Sequence, residues 1–160
     1  MACTIIKKAS EDLLVTGLKI SPHFHGGTES LKLLVGNANF NLYEETSTIS
    51  DKDSSKMLQA GASKVFYIET TDGYIKDAFD AFTKFIEPNT PVICESPSLR
   101  NYIEPGLFFI MDNINNIDKK ETILQWKDSA DGFFNSVHDK EKENLIEKIQ
   151  FIGNKWILND

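Results

Sequence analysis

The sequence predicts an α/β fold, a mainly parallel sheet with helices on both faces. Three observations predict it. Apolar runs of strand length recur at Lys64–Glu69, Pro91–Glu95 and Leu107–Met111. Between the first two lies a helical stripe, with Ile75, Ala78, Phe79, Phe82, Phe85 and Ile86 at i, i+3, i+4 and i+7 spacing. Strands that are apolar throughout and alternate with helices mark parallel strands covered on both sides. The chain of 160 residues shows no internal repeat and no linker, so it reads as one domain over 1–160.

The elements follow in order. Residues 2–12 read as a helix or, through the β-branched Thr4-Ile5-Ile6, as a strand. Leu13–Ile20 reads as a strand stopped by Ser21-Pro22. Pro22–Gly27 reads as a loop, since a proline, two histidines and two glycines fall within it. Asn39–Glu45 alternates apolar and polar residues like a half-exposed strand. Two strands around a long irregular stretch make residues 13–50 a hairpin-like excursion from the parallel pattern. Asp53 or Ser54 caps a short helix through Met57 and Leu58 that Gly61 ends. Asp72 caps the helix predicted over 74–87, and Pro88 stops it. Ser96-Pro97 has the pattern of an N-cap and a first-turn proline for a helix to about Ile103. Residues 118–128 and 140–150 read as helices, Phe133-Phe134 as a strand between them, and Phe151–Leu158 as a last strand.

Composition narrows the function classes. A chain that is 41% hydrophobic and 26% charged is neither disordered nor of low complexity. Seventeen basic against twenty-four acidic residues give a net charge of −7, which argues against electrostatic capture of nucleic acid or of an anionic membrane face. The longest apolar run, Gly106–Met111, is far shorter than the roughly 20 residues that span a bilayer. No apolar stretch follows Met1, and Cys3 and Cys94 form neither a CxxC pair nor a disulfide framework. The expectation is a cytoplasmic, reducing setting, with Cys94 buried and inert.

Three polar clusters stand at predicted strand ends, where open parallel sheets bind ligands. The first is Lys19 with His23 and His25. Histidines at i and i+2 of an extended segment face the same way and can share a metal or a phosphate; the plainer reading is two solvated loop histidines. The second is Asp51-Lys52-Asp53-Ser54. Its carboxylates can hold Mg²⁺ through water, or simply oppose a helix dipole. The third is Glu95-Ser96-Pro97-Ser98 at the end of an apolar strand, with Arg100, the only arginine, one turn further on. Glu95 can serve a metal, a cap or an ion pair with Arg100. These residues are expected around one cleft: Lys19, His23, His25, Asp53, Glu95, Ser96 and Arg100, with Asp53 and Glu95 as ligands of any metal. No Gly-rich phosphate loop, neither GxxxxGK[ST] nor GxGxxG, occurs in the chain.

Three segments, taken together in their order, resemble one family. They are Gly17-Leu-Lys-Ile-Ser-Pro-His-Phe-His25, Lys52-Asp-Ser-Ser-Lys-Met-Leu-Gln-Ala-Gly-Ala62 with the strand Lys64–Ile68 after it, and Val92-Ile-Cys-Glu-Ser96. They resemble the molybdopterin-guanine dinucleotide biosynthesis adaptor protein B (MobB-like) family, P-loop GTPases of the SIMIBI type, over roughly residues 3–112. The resemblance implies a P-loop-NTPase-like fold and a nucleotide with Mg²⁺ at the sheet edge that carries the three clusters. It also implies a link to molybdenum-cofactor biosynthesis and a nucleotide or pterin partner. Departures from the family pattern are Asp51 for a glycine, Lys56 for an arginine and Ser96 for a glycine. The family's first strand and Walker A loop precede the segment that aligns with Ala2–Lys8. The expectation is therefore a chain truncated at its start or a degenerate relative, with weak or lost GTP binding and no NTP hydrolysis of its own. The alternative is a non-enzymatic homodimeric binding or assembly module on the same scaffold, with Asn39–Glu45 pairing across a two-fold axis. A third reading is an unrelated small α/β enzyme using Glu95 and His23 as acid and base.

Overall fold

The computed structural model describes residues 1–26, 28–111, 125–134 and 140–159. The chain divides into two compact units, Ala2–Glu104 and Pro105–Asp160.

In the first unit the N-terminal segment is a helix, α1 (Ala2–Ala9), because Ile5 and Ile6 both find burial on one side of it. Then follow β1 (Thr16–Ser21), β2 (Leu31–Gly36), β3 (Phe40–Glu45), α2 (Asp53–Gln59), β4 (Lys64–Thr70), α3 (Ile75–Thr83) and β5 (Val92–Glu95). The five strands form one sheet in the order β2-β3-β4-β1-β5. β1 is parallel to β4 and to β5, whereas β3 is antiparallel to both β2 and β4. The sheet is therefore mixed rather than mainly parallel. The reason lies in residues 31–45. A three-residue turn, Asn37–Asn39, can join only antiparallel strands. Asn37 holds it by accepting the backbone N–H groups of Asn39 and Phe40 at 2.8 and 3.0 Å. The hairpin-like excursion is real, but its strands are β2 and β3. Leu31–Gly36 escaped the sequence reading because Leu-Lys-Leu-Leu-Val does not alternate cleanly. The segment Asn39–Glu45, expected as an exposed strand free to pair across a two-fold axis, is mostly β3 and lies between β2 and β4.

The period of two along each strand sorts side chains to the two faces. Leu18, Ile20, Phe66 and Ile68 face α3 and make the core with Ile75, Ala78 and Phe82. On the other face α2 lies over Gly17 and Val65. A Cβ on Gly17 would come within 3.1 Å of both Met57 Sδ and Val65 Cγ2, so α2 sits this close to β1 because position 17 has no side chain. Gly61 ends α2 as expected, at φ +108°, a conformation that favours glycine.

Several local expectations shift. Helix 74–87 is shorter: a 3₁₀ turn over Asp72–Tyr74 leads into α3, and Phe85 lies beyond its end, exposed. The helix expected after Ser96-Pro97 to about Ile103 is a single 3₁₀ turn, Leu99–Asn101. Cys94, on the edge strand β5, is exposed by surface area rather than buried, yet the protein around it desolvates the thiol and pushes its pKa up to about 12, so it is inert as expected.

The second unit holds β6 (Phe109–Met111), β7 (Gly132–Phe134), α4 (Lys140–Lys148), β8 (Ile149–Ile152) and β9 (Lys155–Leu158). The run 107–111 was expected in the main sheet; instead β6 pairs in parallel with β7 as a separate two-stranded sheet. An apolar run signals burial and not which strand buries it. The last strand is in fact a hairpin, β8 with β9, turned by Gly153 and Asn154 at φ +58° and +65°. Residues 118–124 of the expected helix 118–128 lie outside the described residues. Among the described residues no helix is long and apolar enough to cross a membrane.

Candidate functional site

The face of the sheet that carries α2 continues past the helix as a polar surface. Alternate residues of three strands share it: Lys19 and Ser21 on β1, Tyr67 and Glu69 on β4, Asn41 and Tyr43 on β3. The strand register sets them in two rows. Tyr43 lies beside Tyr67, Tyr67 beside Lys19, and Lys19 beside Glu95; Asn41 lies beside Glu69, and Glu69 beside Ser21. Above these rows is a cleft of about 410 Å³, walled by Lys19, Tyr67 and Glu69 below, Asp51 to Ser54 on one side and His25 on the other.

Lys19 stands at the centre of an ion triad. Its Nζ lies 3.0 Å from Asp53 Oδ2 and also donates to Glu95 Oε1. Three segments far apart in sequence thus meet at one ammonium: β1, the first residue of α2 and the last of β5. Lys56 adds a second, longer approach to Asp53, 4.0 Å from Oδ1. Burial pushes the Lys19 pKa down, but the hydrogen bonds and charges of Glu95 and Asp53 outweigh it and leave it above the ordinary 10.5. The carboxylates are half exposed, so the triad organises the site more than it stabilises the fold.

Glu69 forms the second centre, and the sequence reading missed it. It is fully buried at the end of β4. Its Oε1 accepts the backbone N–H of His25 at 2.9 Å, and its Oε2 accepts the Tyr43 hydroxyl at 3.3 Å and an Asn41 amide N–H at 3.5 Å. Burial raises the pKa of the Tyr43 phenol, and the charge of Glu69 raises it further. Burial also raises that of Tyr67. The signal that singled out Glu95, a carboxylate ending an apolar strand, is equally present in Lys64–Glu69.

The other expected site residues are placed as follows. His25 lines the cleft, and Asp53 does so beside Lys19. His23 does not line it; its backbone N–H meets Ser21 Oγ at 3.2 Å, and its exposed ring stands edge-on to that of His25 at 6.1 Å. Ser96 caps the turn after β5, its Oγ accepting the Leu99 N–H at 3.1 Å, and Arg100 lies in that turn; neither lines the cleft. No group of three or more His, Cys, Asp or Glu side chains among the described residues is arranged to hold a metal ion.

The raised pKa values carry one sign. Each of Lys19, Tyr43 and Tyr67 holds its proton more tightly folded than unfolded, so its contribution to stability is complete below the unfolded pKa, about 10 for the phenols and 10.4 for lysine, and is lost as pH rises through the folded value. Urea midpoints are expected to start falling near pH ~10, and Lys19→Met to remove part of that fall. A midpoint that stays level to pH ~11.5 would contradict the assignment.

No family model, no curated protein and no solved structure matches the chain.

Proposed function

We propose that residues 2–104 form a P-loop-NTPase-like domain related to the MobB-like adaptors of molybdenum-cofactor biosynthesis, which holds a nucleotide weakly at the carboxyl edge of β1, β4 and β5 and does not hydrolyse it. One observation carries the reading. The three segments that bear the resemblance each send one residue to the same point: Lys19 from the first, Asp53 from the second and Glu95 from the third. The cleft beside them lies within the roughly 300–1,000 Å³ common for small-molecule sites, and its lining offers Lys52 to an anion, while Lys19 is already held by Asp53 and Glu95. Weak binding follows from its other charges, since Asp51, Asp53 and Glu69 also line it and repel phosphate.

Mg²⁺ belongs to the same family expectation, with Asp53 and Glu95 as its ligands. The two carboxylates are the oxygen donors such an ion takes, but both already hold the Lys19 ammonium. As arranged they do not fit a resident divalent ion, and no step of the proposed function runs through one.

Hydrolysis needs backbone N–H groups and a lysine that cradle the β- and γ-phosphates, and no such loop motif occurs in these residues. Isothermal titration of this chain with GTP and ATP is expected to give weak, saturable heats. Phosphate release is expected to equal that of a Glu95→Gln control. A chain that takes up neither nucleotide at millimolar concentration would overturn the binding reading. Turnover above the control would overturn the absence of hydrolysis.

A further inference from the structure

We infer that the Lys19 ammonium is the resident cation of the Asp53–Glu95 pair, and that this pair takes a divalent metal ion only when that ammonium is removed. The inference rests on the reading of this edge as the binding site, and it turns a misfit there into a property of the chain. Small divalent ions are held through one or two carboxylates, with waters completing the shell. Asp53 and Glu95 supply two such groups, brought together from α2 and β5. What stands between them is a unit positive charge fixed to the chain.

The position of that charge is well determined. Lys19 is on β1, which is paired on both sides, to β4 and to β5, so its backbone cannot swing away. Its side chain is only 20% exposed, while the carboxylates are 54% and 49% exposed. The lysine is thus the more enclosed member of the triad and the acids are the more exposed ones. Lys56 approaches the second oxygen of Asp53, so that carboxylate faces positive charge from two sides. Burial pushes the Lys19 pKa down, but the two carboxylates outweigh it, so burial does not discharge the ammonium. A divalent ion entering here would meet an ammonium at ion-pair distance and would have to strip it of both partners.

Mn²⁺ serves as the probe, followed by electron paramagnetic resonance on the full chain with no nucleotide in any sample. The parent is expected to leave Mn²⁺ free. Lys19→Met is expected to bind it at least about tenfold more tightly, a modest return for removing a unit charge at such a distance. Lys19→Arg keeps the cation and should behave as the parent. Adding Glu95→Gln to Lys19→Met should erase the gain. A saturable site in the parent as tight as that in Lys19→Met overturns the inference, and so does a folded Lys19→Met protein with no gain. Should Lys19→Met lose its far-ultraviolet circular dichroism, Lys19→Gln takes its place. Because nucleotide is absent throughout, the result stands whether or not GTP binds.

Discussion

Alanine in place of Phe82 is expected to cost about 3–5 kcal/mol of stability, the usual range for emptying a buried aromatic site. Phe82 is fully buried on α3. Its ring meets Phe66 of β4 edge-on at 5.2 Å and Phe79 at 5.7 Å, so truncation removes two ring contacts together with the buried area. Collapse around the hole is restrained on both sides. Phe66 belongs to a strand paired to two neighbours, and Ile75 and Ala78 on α3 are themselves fully packed. Urea denaturation measures the effect as a fall in midpoint at unchanged slope. A variant that unfolds within a few tenths of a kcal/mol of the parent would mean that α3 does not cover this face.

Glu69→Ala is expected to come next, at about 2–4 kcal/mol. The loss does not come from a vanished charge, for a buried carboxylate is costly to begin with. It comes from what is left behind. The Tyr43 hydroxyl is buried and loses its acceptor, and an orphaned buried donor costs about 1–3 kcal/mol. The His25 N–H loses its acceptor as well. A double-mutant cycle separates this from simple cavity formation. With Tyr43→Phe in the background, Glu69→Leu should cost clearly less than in the parent, because both ends of the bond are then apolar. Costs that add without coupling would show that the bond between the two residues contributes nothing.

The sequence disclosed those parts of the molecule that repeat a period. The stripe of Ile75, Ala78, Phe79 and Phe82 leads to α3, and the β-branched and aromatic run Val65–Ile68 leads to β4. Strand direction was a different matter. An apolar run says that a strand is buried but is silent on its partner, so Phe109–Met111 was assigned to the wrong sheet and β3 to an edge. Turns were the sharper guide where they were short and polar, yet Asn37–Asn39 and Gly153-Asn154 were overlooked beside longer apolar patterns. The site divides the same way. Lys19, Asp53 and Glu95 were visible because each stands where an element begins or ends. Glu69 stands at a strand end as Glu95 does and was passed over all the same; what sets it apart, its partners Tyr43 and Asn41, reaches it only through the β3–β4 register.

The register shift between Leu33 and Val35 in β2 bears on a hazard outside the folded state. β2 ends the sheet, and Leu-Lys-Leu-Leu-Val is the kind of short apolar segment that stacks into fibrils when its edge lies straight and open. A bulge puts an unpaired residue into that edge and bends it, so an incoming strand finds no continuous ladder to copy. Lys32 adds a charge to the same edge strand and is itself drawn toward Glu44 of β3 at 3.8 Å. To seed a fibril the chain must first straighten β2, and straightening it breaks pairing with β3. The irregularity thus works against self-templated aggregation at one of the two open edges of the sheet.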